Sequence, residues 1–171
     1  MKIHAQTTAG LRELARLIEP MSVAMLTGPD GQGMLASRPM SPLEMDAGGC
    51  IWFFTDARSG KTGSLSALNL SFTSDATSTY VSIAGSGMLH ADRATIDRLW
   101  TAAARPWFPD GKDSPNLALL AFHPQTAEYW DAPRSKMVRM VAFAASVVAG
   151  KPIGMGDHAR LTQLAPAPGP R

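Results

Sequence analysis

Ser59, Gly60 and Lys61 follow an aromatic, β-prone run, Ile51-Trp52-Phe53-Phe54-Thr55, with only a short polar turn between. A strand that hands its chain to a helix N-terminus carrying Ser, Gly and Lys can hold a phosphate. The first-turn amides there are free, and the helix dipole favours an anion. Lys61 adds a full positive charge. Arg38, in the strand-like segment from Met34 to Met40, offers a second cation that can grip a phosphate through two parallel hydrogen bonds. The pattern is not a Walker A loop, because the G-x-x-x-x-G-K-[ST] spacing is missing. The residue types also leave two plainer roles open: Ser59 as a helix N-cap, and Arg38 as one half of an exposed pair with Glu44 or Asp46.

Other chemistries find less support. The lone Cys50 has apolar neighbours, which favours an inert buried thiol over a nucleophile and excludes an intrachain disulfide. His4, His90, His123 and His158 share no metal-ligand spacing, and Asp110, Asp113 and Asn116 lack the EF-hand pattern, so no metal site is expected. No Ser-His-Asp or paired-carboxylate arrangement can be read from the sequence. A formal net charge of +2 gives no support for nucleic-acid binding, which usually needs a clustered basic face.

The elements that must position these residues follow from periodicity and punctuation. Thr8 caps a helix with Leu11, Leu14, Ala15 and Ile18 on one face, ended by Pro20. A strand from Ser22 to Thr27 turns at Asp30-Gly31 and returns from Met34 to Met40, where Pro39 and Pro42 point to an edge. Gly48-Gly49 turns into a third strand, Cys50 to Thr55. A short helix is expected from Ser59 to Leu68, with Leu65 and Leu68 inward, then a strand from Leu70 to Ser74. The next strand, Thr79 to His90, holds Gly85 and Gly87, a spacing that implies a bulge or a close backbone approach. Asp92 caps a helix with the stripe Ile96, Leu99, Trp100 and Ala103. A Pro-rich loop carrying Trp107 leads to a strand or strand pair, Leu117 to Trp130, broken at Pro124. Met137 to Ala149 could be helix or strand, and residues 165–171 read as a disordered tail.

The chain has 171 residues, 45% hydrophobic and 18% charged, enough for one globular domain over residues 1–150 with residues 151–171 as an extension. The segment from Met137 to Ala149 would span only about 20 Å as a helix, short of the roughly 30 Å bilayer core. No membrane partner is expected. The first residues lack the apolar core of a signal peptide, so cytoplasm is the expected location. Short strands with local turns, and helices inserted between them, indicate a mainly β fold built as an antiparallel barrel.

Arg38-Pro39-Met40, Trp52-Phe53-Phe54-Thr55, Ser59-x-Lys61, Leu99-Trp100, Trp107-Phe108-Pro109-x-Gly111 and Glu128-Tyr129-Trp130-Asp131 occur in one order. Together they resemble the flavin-binding split-barrel proteins related to pyridoxamine 5'-phosphate oxidase, in particular the bacterial general stress protein branch. The resemblance covers roughly Leu11 to Asp131. It implies a six- or seven-stranded antiparallel split barrel with peripheral helices, working as a homodimer with FMN in two equivalent sites at the interface. Carried over, it makes Arg38 and Lys61 the phosphate-binding cations and Ser59 a further phosphate contact. It makes Phe53, Phe54 and Thr55 the strand end whose backbone reads the polar edge of the isoalloxazine ring, and it packs Met40 near that ring. Trp107 and Trp130 would be walls of the site given by the partner chain.

Two departures bear on activity. The chain ends in an Ala/Pro tail rather than the oxidases' Arg-containing motif, and Gly60 stands where those enzymes usually carry another basic residue. Both count against pyridoxamine phosphate oxidation and leave the substrate and electron donor undefined. The resemblance therefore implies an FMN-binding general stress protein with flavin-dependent oxidoreductase activity on a small molecule. The alternatives are a non-catalytic flavin binder or sensor in the stress response, and a barrel that has lost its cofactor.

Overall fold

The computed structural model describes residues 1–57, 64–131, 146–147, 149–150, 157–162 and 164. Ser59, Gly60 and Lys61, nearly all of the segment from Met137 to Ala149, and the tail lie outside the described residues.

The first helix, α1, is Ala9–Ile18. Thr8 caps it, its Oγ1 accepting from the Leu11 amide at 3.2 Å. Leu11, Leu14, Ala15 and Ile18 are buried as the 3.6-residue period requires, and Leu17 joins them.

Among the described residues nine strands form one sheet: β1 (Lys2–Ile3), β2 (Ala24–Pro29), β3 (Leu35–Met40), β4 (Glu44–Met45), β5 (Ile51–Asp56), β6 (Leu68–Ser74), β7 (Thr79–His90), β8 (Leu117–Asp131) and β9 (Asp157–Leu161). The hydrogen-bonded order is β1-β4-β5-β8-β7-β6-β2-β3, with β9 pairing with β8 off this path. Every ladder is antiparallel except β1 on β4. Among the described residues no ladder joins β1 to β3, so the sheet is open rather than closed. The two-residue strands β1 and β4 account for the excess over the expected six or seven, since two residues carry no legible period.

The Asp30 side chain shapes the β2–β3 turn, accepting from the amides of Gln32 at 2.8 Å and Met34 at 2.9 Å. β3 is an edge strand, as Pro39 within it requires. Strand β8 does not break at Pro124. It runs through, because one residue is left out of register: Ala84 pairs with Thr126 and Gly85 with Pro124. A bulge is where a strand can carry a proline.

Two further expectations need correction. Residues 64–67 are a bend rather than the end of a helix, and Leu68 opens β6. Ser64 and Ser66 bond to each other, and the Ser64 hydroxyl accepts from the Ser66 amide, a local closure that competes with helix. The second helix, α2 (Arg93–Leu99), is capped by Asp92 as expected but ends before Trp100. Its period stops there, so Ala104 is buried in place of Ala103.

One core face joins α1 to the inner side of the sheet around Leu26, Phe53, Leu70, Phe72, Ile83 and Phe122. Each large side chain buried there contributes about 1.5–3 kcal/mol. A second cluster lies on the opposite face, where Ile96 and Leu99 of α2 meet Leu117 and Leu119, with Trp52, Phe54, Trp100 and Phe108 packed around them. Among the described residues no helix is long and apolar enough to cross a membrane.

Candidate functional site

Strand β3 presents Arg38 opposite Leu26 and Met40 opposite Ala24. Cross-strand partners share a face, and Leu26 and Ala24 are buried, so both residues belong to the core side of the sheet. Met40 packs at the margin of the main core, whereas Arg38 is exposed. The acids that could have neutralised Arg38 are engaged elsewhere. Arg98 Nη1 lies 2.8 and 2.7 Å from the two Glu44 carboxylate oxygens, and His4 Nε2 lies 3.2 Å from one of them. Asp46 holds its own turn, accepting from the amides of Gly48 at 2.9 Å and Cys50 at 3.0 Å and from the Trp52 indole at 3.1 Å. Among the described residues the Arg38 guanidinium has no ion-pair partner.

Strand β5 places Phe53 wholly inside the main core, opposite Leu120. Its side chain is therefore unable to cover a ligand, and only its backbone could serve one. Phe54 points to the other face, 5.5 Å from Trp100 and 6.2 Å from Phe108 between ring centroids. The β4 ladder reaches only Ile51 and Trp52, and the Trp52 carbonyl accepts from the Leu43 amide at 2.8 Å. By alternation along the strand, Phe54 turns its N–H and C=O toward the same side, past the end of β4. Among the described residues no strand pairs with that edge beyond Trp52. Thr55 is half-buried at the end of this run.

The two expected tryptophan walls sit apart. Trp107 is 72% exposed in the loop after α2. Trp130 faces Tyr80 on the outer side of the sheet and stacks on His158 at 5.0 Å and 16°. Within one chain Trp130 lies on the face opposite Arg38. In the sheet order β3 and β5 are separated by β8, β7, β6 and β2, and among the described residues no hydrogen bond or ion pair joins Arg38 to β5. The structure thus brings Arg38 beside Met40, and Phe54 beside Phe108 and Trp100. Ser59 and Lys61 lie outside the described residues.

The Glu44–Arg98–His4 cluster was not foreseen. Its members come from β4, α2 and the turn after β1, and no local spacing links them. Burial pushes the Glu44 carboxyl up, but the bonds from Arg98 and His4 outweigh it and hold the group below its ordinary value. Burial, with the Asp46 charge, pushes the Cys50 thiol up to about 12, as befits an inert side chain.

Among the described residues, a mainly antiparallel sheet flanked by α1 and α2 is the architecture of the split-barrel class. The chain belongs to the pyridoxamine 5'-phosphate oxidase-like family, whose sequence profile matches residues 10–153. Protein bli-3 of Neurospora crassa is 25% identical over 155 residues, which span 83% of this chain and 74% of that protein. The solved general stress FMN/FAD binding protein from Xanthomonas citri is 31% identical, with a TM-score of 0.60 over 73% of this chain and 90% of that one. A Jannaschia sp. structure assigned to general stress protein 26 superposes with a TM-score of 0.66 over 88% of this chain and 96% of that one. At 24% identity it speaks for the fold alone.

Proposed function

We propose that this protein is a flavin-binding general stress protein that holds FMN, acting as a flavin-dependent oxidoreductase on a small molecule. The observation that carries the reading is the exposed Arg38 guanidinium, without an ion-pair partner among the described residues, beside the half-buried Met40. The FMN phosphate is dianionic near neutral pH and needs cations with no internal partner, and Arg38 fits that need. Lys61 and Ser59 are the further phosphate ligands of this reading. The ring needs an apolar neighbour for its face and backbone polar groups for its edge. Met40 fits the first need, and the backbone of Phe54, turned past the end of β4 and adjoining Phe53 and Thr55, fits the second. When bound, flavin supplies the electron and hydride chemistry, and the chain's own part is to bind, orient and exclude water.

A homodimer belongs to the same reading. Trp130 and Arg38 lie on opposite faces of one sheet, so a site using both would draw its tryptophan from a second chain. Trp107, 72% exposed, suits the same service. The working compartment of this reading is the cytoplasm.

The test is an FMN titration of purified apo-protein, followed by tryptophan fluorescence, with riboflavin as control. Saturable quenching by FMN with much weaker riboflavin binding is the expected outcome. No binding of either overturns the reading. Steady NAD(P)H oxidation with a defined acceptor supports the enzyme, and tight FMN binding without turnover assigns the protein to sensing or sequestration instead.

A further inference from the structure

Helix α2 is tied down on two sides. Toward β4, Arg98 Nη1 reaches both oxygens of Glu44, a carboxylate only 3% exposed. Toward the loop that follows the helix, Arg93 donates to the carbonyls of Lys112 at 3.1 Å and Ser114 at 3.5 Å, and Asp97 pairs with the Lys112 ammonium at 2.9 Å. Between these anchors the loop carries Trp100, Trp107 and Phe108. Trp100 and Phe108 rest on the ring of Phe54. The Ala104 carbonyl accepts from the amides of both Trp107 and Phe108 at 3.1 Å, so Phe108 turned inward and Trp107 turned outward are set together.

We propose that Arg98 and Glu44 are positioning residues for the flavin site, fixing α2 to β4 so that the loop bearing Trp100, Trp107 and Phe108 is held against Phe54 of β5. This role presupposes the flavin site proposed above. A buried carboxylate is stable only with a hydrogen-bonded partner of opposite charge, which gives the contact a single favoured geometry. The tilted contact of Trp100 and the edge-on contact of Phe108 with Phe54 transmit that geometry because close-packed contacts are stiff. Neither Arg98 nor Glu44 needs to touch the cofactor for this.

The experiment uses the full chain and FMN as the probe, reading the affinity and the visible circular dichroism of the bound flavin, with far-ultraviolet circular dichroism to check folding. Arg98→Ala is expected to weaken FMN binding about tenfold and to change the visible dichroic band. Arg98→Lys, which keeps the charge, should fall between Arg98→Ala and the wild type. If Arg98→Ala does not fold, the double variant E44Q/R98Q, which removes both charges together, takes its place with the same expected outcome. Folded variants with wild-type affinity and an unchanged dichroic band would overturn the positioning role while leaving the flavin reading intact. Failure of the wild type to bind FMN would instead overturn the flavin reading, and this role with it.

Discussion

Gly85 of β7 stands opposite Pro124 of β8, and the next pair is Ala84 with Thr126, which leaves Gln125 unpaired in the ladder. A Cβ on Gly85 would lie 2.3 Å from the His123 carbonyl oxygen and 2.7 Å from the Phe122 ring. The oxygen belongs to the backbone and cannot retreat without opening the ladder. Gly85→Ala should therefore destabilise the fold by about 1–3 kcal/mol, seen as a lower urea midpoint. At Gly87 a Cβ would meet the methyl ends of Leu120 and Leu68, each at 2.8 Å. Those ends can turn aside, so Gly87→Ala should cost less. Equal losses at the two positions would contradict this account of the bulge.

The same strand pair shows what the sequence disclosed and what it hid. The bounds of β7 and the caps Thr8 and Asp92 were legible because each rests on local signals: alternation, a short polar side chain before an apolar stripe, and flanking turns. The continuity of β8 through Pro124 was not, because a bulge depends on which residue the partner strand places opposite. The β1–β4 pairing and the Glu44–Arg98 contact, 54 residues apart, leave no local trace at all. A Ser-Gly-Lys helix start predicted continuation to Leu68, but hydroxyl bonding between Ser64 and Ser66 and the pairing of Leu68 with Gly85 took those residues into a bend and a strand. At the site, residue types pointed to Arg38. Its freedom from Glu44 and Asp46 became visible only once both acids were seen engaged elsewhere.

Cys50 supplies a chemical check on burial. With its thiol pushed up to about 12 and 6% exposed, it should not react with a disulfide reagent at pH 8 while the protein is folded. In denaturant one thiol per chain should react promptly. Fast labelling of the native protein would place Cys50 at a surface that the fold denies it.

Acid sensitivity follows from Glu44. Its carboxyl is pushed up by burial but pulled further down by Arg98 and His4, to a net position below its ordinary 4.5. A depressed carboxylate contributes stability above its unfolded value and loses it as pH falls through its folded value. Urea midpoints should therefore drop below about pH 5, and the drop should be shallower in E44Q/R98Q. At neutral pH Arg98→Ala should cost about 2 kcal/mol, a moderate loss because half of the Arg98 side chain is in solvent. Parallel pH profiles for wild type and double variant would remove Glu44 from the acid limb.

Arg38 separates a phosphate anchor from an incidental surface charge. It sits exposed on an edge strand, so Arg38→Ala should leave stability within about 0.5 kcal/mol of wild type. A charge-assisted contact to phosphate is worth about 1.5–3 kcal/mol, or roughly ten- to hundredfold in affinity. FMN binding should weaken by that factor, and further when Lys61→Ala is added. Riboflavin has the same ring and no phosphate, so its affinity should not change. An equal loss for both ligands would mean that Arg38 acts on the ring or on the fold, and unchanged FMN affinity in the folded double variant would remove both cations from the site. Only a loss confined to the phosphorylated ligand assigns the guanidinium to the phosphate.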